Sequence, residues 1–167
     1  MRSRWALSAL LVAGGLTVYA ANVLATPSTG FTATTLAKAT YGDIFSHVHT
    51  VPAGWNEHIQ TKGDSDLYVQ QNTWQPGGSS GWHTHPGPSF VIVTQGSVTT
   101  YDADDRACTP HVYTANTADN AFVDPGDGHV HVIRNETSSI AQTIAVQLVP
   151  AGATRREDVP DPGICPF

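Results

Sequence analysis

Four histidines fall in two pairs: His83 and His85 within GWHTHPGPSFVIVTQG (81–96), and His129 and His131 within DPGDGHVHVIRN (124–135). In a β-strand, residues two apart point to the same face. Two imidazoles a few ångströms apart on one face can share a metal ion or anchor one catalytic centre. The first pair runs on into the apolar stretch Phe90-Val91-Ile92-Val93, and the second follows a Pro-Gly turn. A single such pair is weak evidence. His47 and His49 repeat the spacing without an obvious third ligand, so they read as a surface pair, and His58 and His111 read as solvent-exposed.

The elements that must position these residues are short and extended. Runs rich in β-branched and aromatic residues cover 56–61, 66–74, 82–85, 90–95, 98–101, 111–114, 121–123, 129–134 and 140–149, separated by Gly, Pro, Asn and Asp. That pattern predicts an all-β sandwich or barrel, with closure dealing with the strand edges. Residues 34–39 come nearest to a helical stripe and lack caps. No repeat of 20–50 residues is present. Residues 26–40 are rich in Thr and Ala and read as an extended lead-in. Trp74 and Trp82 read as core aromatics, and Arg134, of opposite parity to His131, as a surface salt-bridging residue.

The N-terminus concerns address. Met1-Arg2-Ser3-Arg4 is basic, residues 5–25 are uncharged and mostly apolar, and Val23 and Ala25 are small residues of the kind a signal peptidase reads. The expectation is a signal peptide over residues 1–25, with the mature chain beginning at Thr26. An uncleaved anchor is the alternative, since about 20 apolar residues can span a bilayer. Either way the rest lies outside the cytoplasm, secreted or extracytoplasmic. The chain has 8 Lys and Arg against 14 Asp and Glu; removing Arg2 and Arg4 leaves 6 basic residues and a formal charge of −8. So acidic a domain attracts neither nucleic acid nor anionic lipid. The one basic cluster, Arg155-Arg156, is followed at once by Glu157 and Asp158. About 140 mature residues make one domain able to bury a core.

Cys108 and Cys165 are the two cysteines. In an exported chain, an even count reads as a bridge, here tying the C-terminal tail (151–167) to a mid-chain loop. A thiolate metal site would need partners close in sequence, and there are none.

The histidine motifs resemble those of the cupin superfamily over roughly residues 66–149. G-x-H-x-H leads into an apolar strand ending at Gly96, and a Pro-Gly turn is followed by Gly128, His131 and Asn135. The resemblance implies a double-stranded β-helix, the jelly-roll barrel, over residues 41–150, with a metal at its centre. It further implies His83, His85 and His131 as ligands, because Gly128 lies three residues before His131 and Asn135 four after. Where the family keeps a glutamate, seven residues before Gly96, this chain has Ser89. Pro125 lies one residue early, and His129 is an extra histidine, either a fourth ligand or a pocket group.

The implied cofactor is one divalent transition metal; iron, manganese, nickel, zinc and copper all suit imidazole. Three neutral imidazoles leave its charge uncompensated, which favours an anionic small-molecule substrate or hydroxide. The expected function is oxygenase-, isomerase- or lyase-type chemistry, with His129 and Ser89 orienting substrate or moving a proton. The alternative is a non-catalytic module binding a metal or small ligand in the same barrel. A homodimer is left open.

Overall fold

The computed structural model describes residues 24–49 and 54–167, so residues 1–23 of the expected signal peptide lie outside the described residues. The strands are β1 (Thr29–Tyr41), β2 (Phe45–His49), β3 (Asn56–Gln60), β4 (Ser65–Ser79), β5 (His83–Thr84), β6 (Ser89–Gln95), β7 (Ser97–Asp102), β8 (His111–Thr114), β9 (Ala121–Asp124), β10 (His131–Arg134), β11 (Ala141–Pro150) and β12 (Glu157–Asp158), and the described residues contain no helix. Ten strands form one antiparallel sheet curled into a nearly closed jelly-roll barrel, along the order β12-β5-β10-β4-β11-β6-β9, with β1 on β4, β7 on β10 and β8 on β7. β2 and β3 form a separate hairpin.

Alternation decides what faces inward. In β11, Ala141, Thr143, Ala145, Gln147 and Val149 are buried while the residues between them are not. In β6, Ser89, Val91 and Val93 are buried, whereas Phe90 and Ile92 face out. β4 turns Gln70, Asn72 and Trp74 inward and leaves Leu67 and Val69 half-buried outside. The barrel interior is therefore apolar at one end and polar at the other. Trp74, Val93, Val98, Ile133 and Ala141 fill the apolar end, with Phe31 and Phe122 against them. Trp82 belongs to a second core outside the barrel, with Tyr101, Val132 and the tail residues Val159, Ile164 and Cys165. Both tryptophans are core aromatics, in different cores.

The stretch read as a lead-in is extended, and it is also a strand. β1 pairs with β4 from Thr29 to Tyr41, across the expected 40/41 boundary. Its side chains are nearly all exposed, so no buried stripe marks it in the sequence. It is pinned by Asp66, which accepts from Thr40 Oγ1 at 2.6 Å and from the Gly152 amide at 3.0 Å and pairs with Lys38 at 2.8 Å. The hydrogen bond from Lys38, then that from Thr40, hold the Asp66 carboxyl down at about 2.

Cys108 and Cys165 are bridged, with Cα atoms 5.4 Å apart. The bridge fixes the tail beside Trp82, and β12 then pairs with β5, placing Asp158 opposite His83. Closing a loop of 57 residues constrains the unfolded chain by about 4 kcal/mol in the loop-entropy account. Arg134 lies, as expected of a surface residue, beside Glu136 (3.3 Å), with Phe167 under its guanidinium at 4.0 Å.

Candidate metal centre

Two backbone approaches bring the histidine stretches together. His131 of β10 pairs in register with His83 of β5. The turn after β9 also presses on the turn after His85. Gly126 has φ +72, and a Cβ there would sit 2.4 Å from the Gly87 carbonyl carbon. Only glycine meets both the positive φ and that contact.

His83, His85 and His131 are all buried, and their ligand atoms lie within 4.8 Å of one another. Ring centroids are 4.3 Å apart for His83–His131, 4.9 Å for His83–His85 and 5.7 Å for His85–His131. His83 Nδ1 donates to the Gly81 carbonyl at 2.8 Å, and His85 Nδ1 to the Arg155 carbonyl at 2.7 Å. Those bonds fix the tautomers and leave each Nε2 lone pair for the site, the usual outer-sphere support of a histidine ligand. Burial holds all three imidazoles neutral. It pushes His85 down to about 4 and His131 down to about 3, and with nearby His131, Arg156 and His85 it depresses His83 well below the ordinary value. Neutral imidazole is the form that binds metal.

Asp124 is the residue that sequence reasoning missed. It ends β9, directly opposite Ser89 in the β6–β9 ladder, and is buried. Its Oδ1 accepts from the Gly126 amide (3.1 Å) and faces His129 Nδ1 (3.2 Å) and His131 Nδ1 (3.7 Å). Its Oδ2 has no hydrogen-bond partner, nor has His131 Nδ1. Asp124 Oδ2 lies 4.0 Å from His85 Nε2. That is too long for a hydrogen bond, yet short enough for both to bind one ion through bonds of about 2.0–2.2 Å. Orphaned buried polar atoms are rare, and here they converge with two free imidazole nitrogens. The donor set therefore fits a divalent transition ion, held by three histidines and one carboxylate. The acid at a Pro-Gly turn was visible in the sequence; its pairing with Ser89 was not.

The other expected site residues are placed as follows. Ser89 is buried in the wall of the histidine cavity and accepts from Gln147 Nε2 at 2.7 Å. His129 is not in a strand. Asp127 and Gly128 both have positive φ, so the turn runs on and β10 begins only at His131. The shared-face argument for the second pair thus fails, although the rings still stack at 5.6 Å. His129 lies in an adjoining outer pocket of about 230 Å³, whose wall with the inner cavity is made partly by Asp124 and His131. It sits between two carboxylates, Asp124 Oδ1 at 3.2 Å and Asp102 Oδ1 at 3.4 Å. Asp124, His129 and His131 form a second, overlapping set of potential ligands, less buried than the first. Asn135 is a brace: its buried amide donates to the carbonyls of Trp74, Gln75 and Ser139. His47, His49 and His58 belong to the exposed β2–β3 hairpin and do not reach the site. His111 is exposed at the rim of the outer pocket.

A family model described as a cupin domain matches residues 72–147. No curated protein matches the sequence. Similar solved structures include a cupin-like protein from Thermotoga maritima (17% identity, TM-score 0.46, covering 57% of this chain and 65% of that one). Another is a cupin superfamily protein from Desulfitobacterium hafniense (10%, 0.43, 68% and 79%). A third is an oxalate oxidase in complex with the substrate analogue glycolate (18%, 0.44, 56% and 46%), less than half of whose length is spanned.

Proposed function

This chain belongs to the cupin superfamily through residues 72–147, and from that premise we propose that it is an extracytoplasmic metal-dependent enzyme acting on a small molecule. The observation that carries the reading is the buried convergence of His83, His85 and His131, with Nδ1 of the first two engaged by carbonyls and a free Asp124 oxygen beside them. His83, His85, His131 and Asp124 would hold one divalent ion, with iron, manganese, nickel, zinc and copper as candidates. When bound, the ion supplies Lewis acidity or oxygen binding at its open positions.

The remaining chemistry falls to the chain's own groups. Ser89 accepts from Gln147, so its own O–H is available to orient a substrate atom in the cavity. His129 can take a proton on the side facing Asp102 while Asp124 orients its other nitrogen. The disulfide supports export, since such bridges persist in oxidising compartments. Thr26 is tied to the C-terminal tail, its amide donating to the Val159 carbonyl at 2.8 Å.

The second reading is a binding module without turnover. The inner cavity favours it, since about 40 Å³ takes only a few atoms. The test is reconstitution with each candidate metal, followed by a turnover screen over small oxygenated substrates with and without O₂. Turnover that needs metal and is lowered in His129→Ala supports the enzyme. Saturable ligand binding with no turnover under any metal supports the module.

A further inference from the structure

The inner cavity is lined by two arginines from the segment just before β12, Arg155 and Arg156, and their electrostatic circumstances differ. Arg156 is neutralised: its guanidinium pairs with Asp158 at 2.5 Å and donates to the Ser80 carbonyl. Lys38 and Arg134 are likewise paired, with Asp66 and Glu136, and Lys62 and Arg106 are exposed. Arg155 is half-buried, and among the described residues no carboxylate lies within ion-pair distance of it. Its guanidinium donates from Nη1 to Gln147 Oε1 at 2.7 Å, and Gln147 Nε2 in turn donates to Ser89 Oγ at 2.7 Å. A desolvated cation with only a neutral partner is costly unless an anion completes it.

We propose that Arg155 is the anion-recognising residue of the site and that the small molecule bound there is a carboxylate. The inference rests on the metal-centre reading and narrows it to a substrate class. The charges agree. A divalent ion with one Asp124 carboxylate and three neutral imidazoles keeps a net positive charge. Arg155 adds another, while Arg156 and Asp158 cancel. A carboxylate would place one oxygen toward the ion and meet the guanidinium fork with the other, a geometry that suits arginine better than lysine. The small cavity limits the ligand to a few heavy atoms. Gln147 holds the guanidinium in place, and the buried Ser89 hydroxyl lies at the end of the same chain of bonds.

The test separates this proposal from the metal reading because His85 is held by the Arg155 carbonyl, not its side chain, so Arg155→Gln keeps that support. Cobalt-loaded wild type, Arg155→Gln, Arg155→Lys and Arg156→Gln are titrated with acetate and malonate, and with acetamide and malonamide as neutral counterparts, while visible absorption and metal content are followed. The expected result is carboxylate-specific binding weakened about tenfold or more in Arg155→Gln, partly restored in Arg155→Lys, and little changed in Arg156→Gln, with metal content equal throughout. Equal carboxylate affinity in wild type and Arg155→Gln, or no preference over the amides, overturns the proposal. If wild type takes up no metal, the metal reading fails separately. The same titrations on metal-free protein, followed by NMR shifts, then decide on Arg155 by the same comparison.

Discussion

Ser89 and Asp124 stand directly opposite each other across the β6–β9 ladder, both buried and both lining the histidine cavity. The carboxylate absent from the first histidine stretch is thus present on the neighbouring strand. Its Oδ2 is 4.0 Å from His85 Nε2 and has no hydrogen-bond partner.

The exchange predicts a compensation. Asp124→Ala should weaken divalent metal binding by about 10–100-fold, the range for groups that support a metal centre. Ser89→Glu in that background should recover much of the loss, because its side chain starts from the facing position. Competition against a chromogenic chelator measures both. Unchanged affinity in Asp124→Ala would remove Asp124 from the centre.

For the metal-free protein, stability should fall as pH drops through the range from about 6.5 towards 4. Burial, the largest cause, pushes His85 down to about 4 and His131 to about 3. Below about 6.5 the unfolded chain takes up protons that these folded imidazoles refuse, so stability declines with falling pH. The decline continues until the folded groups themselves protonate. His85 alone accounts for on the order of 3 kcal/mol. Urea melts of chelator-treated protein between pH 8 and 4 check this, and a flat profile from pH 7 to 5 would contradict it.

How much of this was legible beforehand depended on whether the signal was local. Trp82–His85 and the strand from Ser89 announce themselves by alternation and by turn residues on either side. So did His83, His85 and His131, through spacing. Asp124 needed the β6–β9 register, a long-range pairing that no local pattern encodes. Arg155 was hidden by its neighbours: in sequence it reads as half of a cluster neutralised by Glu157 and Asp158, whereas in the fold only Arg156 meets Asp158. β1 was missed as a strand because its outward Thr and Ala residues bury nothing that would produce alternation. His129 was placed in a strand because H-x-H was read as extended, while the positive φ values of Asp127 and Gly128 continue the turn.

The disulfide should prove structural. Intact-mass analysis of unreduced protein should find no alkylatable thiol, and replacing Cys108 and Cys165 together by Ser should cost about 4 kcal/mol. The same change should loosen β12 and with it the carbonyl support of His85. Two free thiols in native protein would refute the bridge.

His129 should act beyond the ligand set. His129→Ala should leave metal content largely intact and lower whatever turnover the reconstituted protein shows by about 10²–10⁴-fold, the range for a lost acid–base group. Loss of metal in His129→Ala with retention in His83→Ala and His85→Ala would instead select the outer set of Asp124, His129 and His131.

The most direct measurement is metal stoichiometry by elemental analysis of protein purified from its native compartment, for wild type and for His83→Ala, His85→Ala and His131→Ala. The account predicts about one divalent transition metal per chain in wild type and close to none in each variant, with folding of every variant verified by circular dichroism. A wild-type protein without metal that also fails to take one up, or a variant that folds and keeps full stoichiometry, would contradict it.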